Sequence, residues 1–429
     1  MSEAPHRILV TSCSSGIGQE IYHSLVNRRD VELYGIDTRD NTPGKCLFGP
    51  RFYPGAPPLS EERRFVEYVK YFCESRQISY LFAGRDSDIN VLKQEESFIG
   101  VSVITSPLET CVVARSKKQT YEKLRDVVRV PEMFEVEKVK ELPVFVKPDF
   151  GAGSVGCRRI DTMEELVSGY DKERDLITEV LTGAEYTVDS FTDLNGELLY
   201  HCPRERTITR AGISVVTSAV TDGRVLGQVQ DMADKINNTI HFIGAWFFQV
   251  KESSDGSLCL LEIAPRVGGS SSFSRASGVN LPLLSLNLAM GLPVKVPSRD
   301  HPQRTMKLYK TFIDPPLTFH DLYLDLDDTI ILRNVVNPSA MSCIYKYHGK
   351  GVRIHLITRN PGDLSKILSS FHIPCDIFAS IHQISDLSVK SRYMIPNSVF
   401  VDDSFSERDE VSSSGMGIRC FDVDFLNFL

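Results

Sequence analysis

Three different spacings of apolar residues follow one another along the chain. Ile8 to Val10 form a short apolar run, Gly16 and Gly18 follow it, and Ile21, Leu25 and Val26 then recur at helical spacing before a second run ending at Asp37. A helix is expected over 63–75, a strand in "ISYLFAG", a helix over 86–98 and a strand in "GVSVITS". Strands alternating with helices predict a parallel, doubly wound sheet. From about Cys111 the pattern changes: "PVFVKP", "DLITEVL", "EYTVDSFTD", "ELLYHCP", "AWFFQVK" and "LCLLEIAP" include several alternating stretches, which suits antiparallel sheets with one covered face. Paired prolines in "TFIDPPLTFHD" mark a linker. Beyond it "LYLDLD", "VRIHLIT", "CDIFAS", "SVFVDD" and "GIRCFDV" alternate with helical stretches and predict a third, smaller α/β domain.

Composition narrows this only at the edges. With 429 residues the chain is long enough for two or three domains. Its net charge of −8 argues against a nucleic-acid binder and for small-molecule chemistry. The opening "MSEAPHRILVTSCSS" has no leader pattern, no apolar run approaches the roughly 20 residues that span a bilayer, and the ten cysteines never stand at CxxC spacing. A cytoplasmic protein with reduced thiols and no membrane partner is expected.

The first glycine turn invites a dinucleotide reading, but Ser14 and Ser15 break the G-x-G-x-x-G pattern and no tyrosine stands four residues before a lysine. The turn is therefore read as a packing device. More chemistry lies between Lys117 and Arg266. Lys117 stands at a predicted helix start, and Lys147 ends a strand before a loop carrying Gly151, Gly153 and Gly156. Two lysines on separate elements can hold phosphates as point charges while glycine backbone closes over them. Glu179 with Val180 ends a strand where backbone and side chain can meet an adenine edge, and Glu185 is placed for ribose hydroxyls. Glu262 and Arg266 flank a turn in "LLEIAPRVGG".

Taken together these residues resemble the ATP-grasp superfamily, especially the carboxylate–amine ligases related to carbamoyl-phosphate synthase. The resemblance implies a Rossmann-like pre-ATP-grasp domain over 1–110, an ATP-grasp domain over 111–315, and ATP as a substrate used with Mg²⁺. It assigns ATP to Lys117 and Lys147, the adenine hinge to Glu179 and Val180, and the metal to Gln249 and Glu262. The family's E-x-N-P-R motif reads Glu262-Ile263-Ala264-Pro265-Arg266 here, so alanine stands where an asparagine ligand is usual. Either water or substrate fills that position, or the second metal is weak or absent. Arg266 is the cation expected at the transferring phosphoryl group, and Arg204, Arg206 and Arg210 are candidate forks for the acid or acyl phosphate. A solvated strand edge is the plain alternative for those three. The expected partners are a small carboxylate and an amine; the oligomeric state, a homo-oligomer included, stays open.

The stretch "LYLDLDDTI" resembles the D-x-D-x-T motif of the haloacid-dehalogenase superfamily, with Thr358, Lys390 and Asp402–Asp403 following in order at predicted strand ends. The resemblance covers 319–429 and implies a phosphohydrolase acting on a phosphorylated small molecule. Asp325 is the implied nucleophile and Asp327 the acid and base. Thr358 and Lys390 hold the transferring oxygens, and Asp325, Asp327, Asp402 and Asp403 surround Mg²⁺. The stretches from Asp325 to Thr358 and from Thr358 to Lys390 are each too short to hold a cap domain. The chain as a whole therefore reads as α/β and α+β: a ligase that forms an amide through an acyl phosphate, fused to a capless phosphohydrolase. Two rivals stay open. One is a nucleotide-binding sensor or scaffold with an inactive ligase half; the other is an enzyme that carboxylates or carbamoylates with bicarbonate.

Overall fold

The structure is a computed structural model and describes residues 4–151, 153–210, 212–296, 302–308 and 310–429. The chain divides into two compact units, Met1–Leu308 and Tyr309–Leu429. Among the described residues no helix is long and apolar enough to cross a membrane.

The first unit opens with strands β1 (His6–Val10), β2 (Val31–Asp37), β3 (Phe52–Pro54), β4 (Tyr80–Phe82) and β5 (Ser102–Val103). They pair in parallel in the order β3-β2-β1-β4-β5. The helices expected around 63–75 and 86–98 appear as Glu62–Arg76, Asp86–Gln94 and Glu96–Ile99. A Cβ on Gly18 would meet the Cys13 carbonyl at 2.6 Å, so this glycine lets helix and strand pack. Asp37 accepts from the backbone N–H groups of Ser14 (3.2 Å) and Thr38 (2.8 Å), which commits its carboxylate to holding the turn.

Two antiparallel sheets follow. The smaller contains β6 (Met133–Phe134), β7 (Val144–Pro148), β8 (Arg158–Ile160) and β9 (Asp175–Thr178), in the order β6-β9-β7-β8. The larger contains β10 (Glu185–Thr192), β11 (Leu198–Arg210), β12 (Ile213–Ala219), β13 (Gly244–Glu252), β14 (Leu258–Ala264) and β15 (Arg304–Met306), in the order β14-β13-β10-β11-β12-β15. Strand β12 and the far half of β11 escape the sequence pattern, because their alternation of buried and exposed positions is weak. The helix Gly223–Thr239 covers one face of the sheet. Asp222 caps its first turn by accepting from Arg224 N–H, and Val225, Val229, Ala233 and Ile236 pack with Val188, Trp246, Phe248 and Leu260. Each large apolar side chain among them contributes about 1.5–3 kcal/mol when fully buried. The other face is left for the cleft.

The second unit contains β16 (Asp321–Leu324), a small hairpin of β17 (Ile331–Leu332) and β18 (Val335–Val336), then β19 (Arg353–Thr358), β20 (Ser380–Gln383), β21 (Val399–Val401) and β22 (Arg419–Phe421). The five-stranded sheet runs β20-β19-β16-β21-β22, all parallel. Leu322, Leu324 and Leu356 face one core while Tyr323, Ile357 and Phe400 face another, so both sheet faces are covered. The stretch "CDIFAS" is not the strand its composition suggests. Ile377 and Phe378 are neighbours buried in the same core, which a strand cannot arrange because successive side chains point to opposite faces. They leave a short 3₁₀ turn, Cys375–Ile377, and the strand begins only at Ser380.

Candidate active sites

The first unit holds a cleft of about 800 Å³ lined by the glycine turn at Ser15–Ile17, by Gly84–Ser87, by the smaller sheet and by the open face of the larger one. Strand register places the chemistry on that face. Glu262 lies directly opposite Gln249, Gln249 opposite Thr187, and Thr187 opposite Arg204, which makes one row across β14, β13, β10 and β11. Gln249 and Glu262, on consecutive strands, are therefore brought side by side, as the metal reading expects. Burial raises the Glu262 carboxyl; Lys117, Arg266 and Arg206 oppose that rise and Asp86 adds to it. Ala264 lines the cleft without a donor atom. Thr187 is 2% exposed and its hydroxyl has no partner among the described residues, although it lines the cleft beside Gln249. A buried orphan hydroxyl costs about 1–3 kcal/mol, so this row suits an occupant that brings oxygen or N–H groups. Thr187→Val, of equal size, should leave the melting temperature unchanged or raised and weaken MgADP binding several-fold in calorimetry.

Lys147, only 5% exposed, reaches into the cleft from the end of β7 and donates to the Tyr121 hydroxyl (2.6 Å), which in turn donates to the Leu261 carbonyl (2.6 Å). Tyr121 thus fixes the lysine against β14, a role its place in "SKKQTYEKL" does not announce. Lys117, at the start of the helix Lys117–Leu124, donates to the Asp149 carbonyl (3.2 Å), and Ser116 caps that helix while bonding the Asp149 carboxylate. Burial and the neighbouring Lys117 charge push the Lys147 ammonium down to about 8. The charged form, which a phosphate needs, therefore prevails below pH 8 and is lost above it. ADP affinity is expected to fall as pH rises from about 7.5 to about 9, a trend that titration calorimetry at fixed free Mg²⁺ would measure.

Gly151 and Gly153 line the cleft; Gly156 does not. A Cβ on Gly212, at the tip of the β11–β12 hairpin, would lie 2.5 Å from the Gly153 carbonyl carbon, so the hairpin and the glycine loop touch over the cleft. Glu179 lines it too, but its carboxylate accepts from Glu132 N–H (3.1 Å) and pairs with Arg129 (3.3 Å). Its side chain is thus engaged in holding β9 to its neighbours. Val180 is half-buried and is not among the lining residues.

The arginines divide into distinct roles. Arg210 is exposed at the end of β11, as the edge alternative has it. Arg206 pairs with Glu185 (2.8 Å) and donates to the Gly212 carbonyl. Arg204 is neither a solvated edge nor a free fork. It is completely buried, donates twice to Asp189 (3.1 and 2.9 Å) and once to Ser270 (2.8 Å), and Ser274 donates to the same carboxylate. Arg266, expected free for phosphate, is bidentate to Asp86 (2.6 and 2.5 Å) and donates to the Val267 carbonyl (2.9 Å). Those bonds occupy three of its five N–H groups. Sequence reasoning missed Asp86 because its partner, Arg266, stands in a distant part of the chain.

The second unit's candidates gather at the carboxyl ends of β16, β19 and β21, where strand order reverses about β16. Lys390 donates to Asp325 (2.6 Å) and to Asp402 (2.6 Å). Burial, with Asp402 and Asp327 acting against Lys390, pushes the Asp325 carboxyl up to about 7, and burial with Asp402 raises Asp403. Asn360, absent from the sequence reading, donates through its amide to both oxygens of Asp327 (3.0 and 2.9 Å), while its own N–H donates to Thr358 Oγ1 (3.0 Å). The expected nest of metal-binding carboxylates differs in detail. The ammonium bridges Asp325 and Asp402, and among the described residues no three His, Cys, Asp or Glu side chains converge closely enough to hold a metal ion. The connections hold only the β17–β18 hairpin, short helices and one edge strand, with no cap domain among the described residues.

Comparison with known proteins bears on the first unit. Residues 171–311 match a family described as ATP-grasp in the biosynthetic pathway with Ter operon. The carbamoyl phosphate synthase large chain of Thermoplasma volcanium is 25% identical over 218 residues, which is 45% of this chain; the match spans about a fifth of that relative's length (21%). Among solved structures, the biotin carboxylase domain dimer of Hydrogenobacter thermophilus 2-oxoglutarate carboxylase, in complex with MgADP, ADP and bicarbonate, aligns with a TM-score of 0.57 at 14% identity, covering 69% of this chain and 72% of that one. An L-amino acid ligase from Bacillus licheniformis aligns with a TM-score of 0.54 at 16% identity, covering 67% and 75%. This chain carries a mixed α/β, ATP-grasp-like fold.

Proposed function

We propose that the first unit uses ATP to activate a carboxylate as an acyl phosphate and joins it to an amine. The observation that carries this reading is the gathering of Lys117, Lys147, Gln249, Glu262 and Arg266 from separate elements around one cleft. Lys147 and Lys117 hold the phosphates, and the glycine loop under the Gly212 hairpin excludes water. A carboxylate oxygen attacks the γ-phosphorus, the bond from γ-phosphorus to the β–γ bridging oxygen breaks, and ADP leaves. The amine then attacks the acyl carbon and expels phosphate. Gln249 and Glu262 are the oxygen donors that would hold Mg²⁺, with phosphate oxygens and water completing its shell where Ala264 offers nothing; such an ion supplies charge neutralisation at the transferring group. Arg266, steadied by Asp86, has two N–H groups beyond its described bonds for the acid or the phosphoryl oxygens.

Release of ADP by the full chain, screened across pooled carboxylates and amines, tests this. Turnover that needs both an acid and an amine supports amide formation. A second reading, with bicarbonate as the acid, is favoured by the bicarbonate complex of the biotin carboxylase neighbour. Turnover stimulated by bicarbonate without an added acid would select it. Nucleotide binding with no substrate-dependent turnover in any pool would select a sensor, the reading that Ala264 favours.

For the second unit we propose phosphate-ester hydrolysis through an aspartyl phosphate, a reading that rests on its own residues and not on the relatives above. Asp325 attacks phosphorus while Asp327, oriented by Asn360, protonates the leaving oxygen and later takes a proton from water. Lys390 steadies the nucleophile. Among the described residues no three of these side chains converge to hold a metal ion, so Lys390, bridging Asp325 and Asp402, is the cation that offsets their charge. The short connections suit an open site and a large substrate.

A further inference from the structure

A second cavity, of about 440 Å³, lies within the first unit between the parallel sheet and the larger antiparallel sheet. Its walls are mainly apolar, with Phe82, Val103, Ile104 and Leu108 on one side and Val267 and Leu288 on the other. Three of the polar groups at its margin already have protein partners. Lys93 pairs with Glu96 (2.7 Å), Thr105 donates to the Pro265 carbonyl (2.8 Å), and Ser285 accepts from Ala245 N–H (3.0 Å). The volume falls within the range of sites that take small organic molecules. Two residues, Ile89 and Arg266, wall both this cavity and the nucleotide cleft. The cavity thus adjoins the place where the ligase reading puts the acid, and its border carries the guanidinium that would meet a carboxylate.

We propose that this cavity holds the apolar tail of the acid substrate, so that the preferred carboxylate is amphipathic, with a hydrocarbon or aryl body and its charged end at Arg266. A short polar acid would leave the walls exposed to water, whereas a tail covers them and shields the acyl phosphate from hydrolysis. This inference rests on the ligase reading, and the test separates the two. Calorimetry on the full chain measures MgADP first, then a series of straight-chain monocarboxylates from acetate to decanoate, with and without MgADP. The expected result is affinity rising about fourfold per methylene until the cavity is full. The rise should be abolished in Ile104→Trp, in the cavity wall, and in Ala289→Trp, at an exposed lining position at its mouth, while MgADP affinity stays within about twofold of the parent. Retained MgADP affinity also shows that each variant is folded. A flat series in the parent with normal MgADP binding would overturn the tail site and leave the ligase reading standing. A steep series unchanged by either tryptophan would overturn it by putting the tail elsewhere. Absence of MgADP binding would instead count against the nucleotide reading, with the series measured without nucleotide still deciding the cavity.

Discussion

An Arg204→Met chain is expected to lose about 3–5 kcal/mol of folding stability, because removing one partner of a buried pair strands the other charge. Among the described residues Asp189 would keep only the Ser274 hydroxyl as a donor, in a core where both side chains are wholly inaccessible. The loop from Gly268 to Ser274 would lose its anchor through Ser270. Denaturant unfolding measures the loss directly. The double variant Asp189→Leu with Arg204→Met removes both charges and should recover most of it. If the single variant unfolded like the parent but turned over acid substrate poorly, Arg204 would be a substrate fork after all.

Asp325→Asn carries the second large effect. Loss of the nucleophile should lower phosphate release from any phosphorylated substrate by roughly four orders of magnitude or more, by analogy with other nucleophile removals. Fold stability at about pH 8 should hold or rise, since a carboxylate raised by burial and by Asp402 is replaced with a neutral amide of the same shape. The sign follows from a folded-state value raised to about 7: the penalty for the ionised form is present above that pH and fades as pH falls toward the ordinary carboxylate range. The ligase reaction should be unchanged in this variant. Phosphate release equal to the parent's would remove Asp325 from the chemistry.

The first-order pattern was legible because it is local. A strand leading into Asp325 and Asp327, a lysine closing β7 before glycines, and a glutamine shortly before a glutamate all speak within a short window, and the sheets place them as their spacing suggests. What escaped depends on partners far away in the chain. Arg204 and Arg206 sit in a run that reads equally as substrate forks or as a solvated edge, yet alternate residues of β11 share a face, and register with β10 turns that face inward toward Asp189. Asp86 opens the helix expected over 86–98 without any local mark of a role, and meets Arg266 only through the packing of the parallel sheet on the larger one. Asn360 looks like a loop residue until β19 and β16 bring it against Asp327.

The central claim is that a carboxylate oxygen attacks the γ-phosphorus of ATP. It is tested most directly by supplying the full chain with ATP, Mg²⁺, amines and a pool of ¹⁸O-labelled carboxylates, free of bicarbonate, and weighing the phosphate released. Transfer of one ¹⁸O atom into each phosphate formed is predicted. Acid-dependent phosphate without ¹⁸O would contradict it.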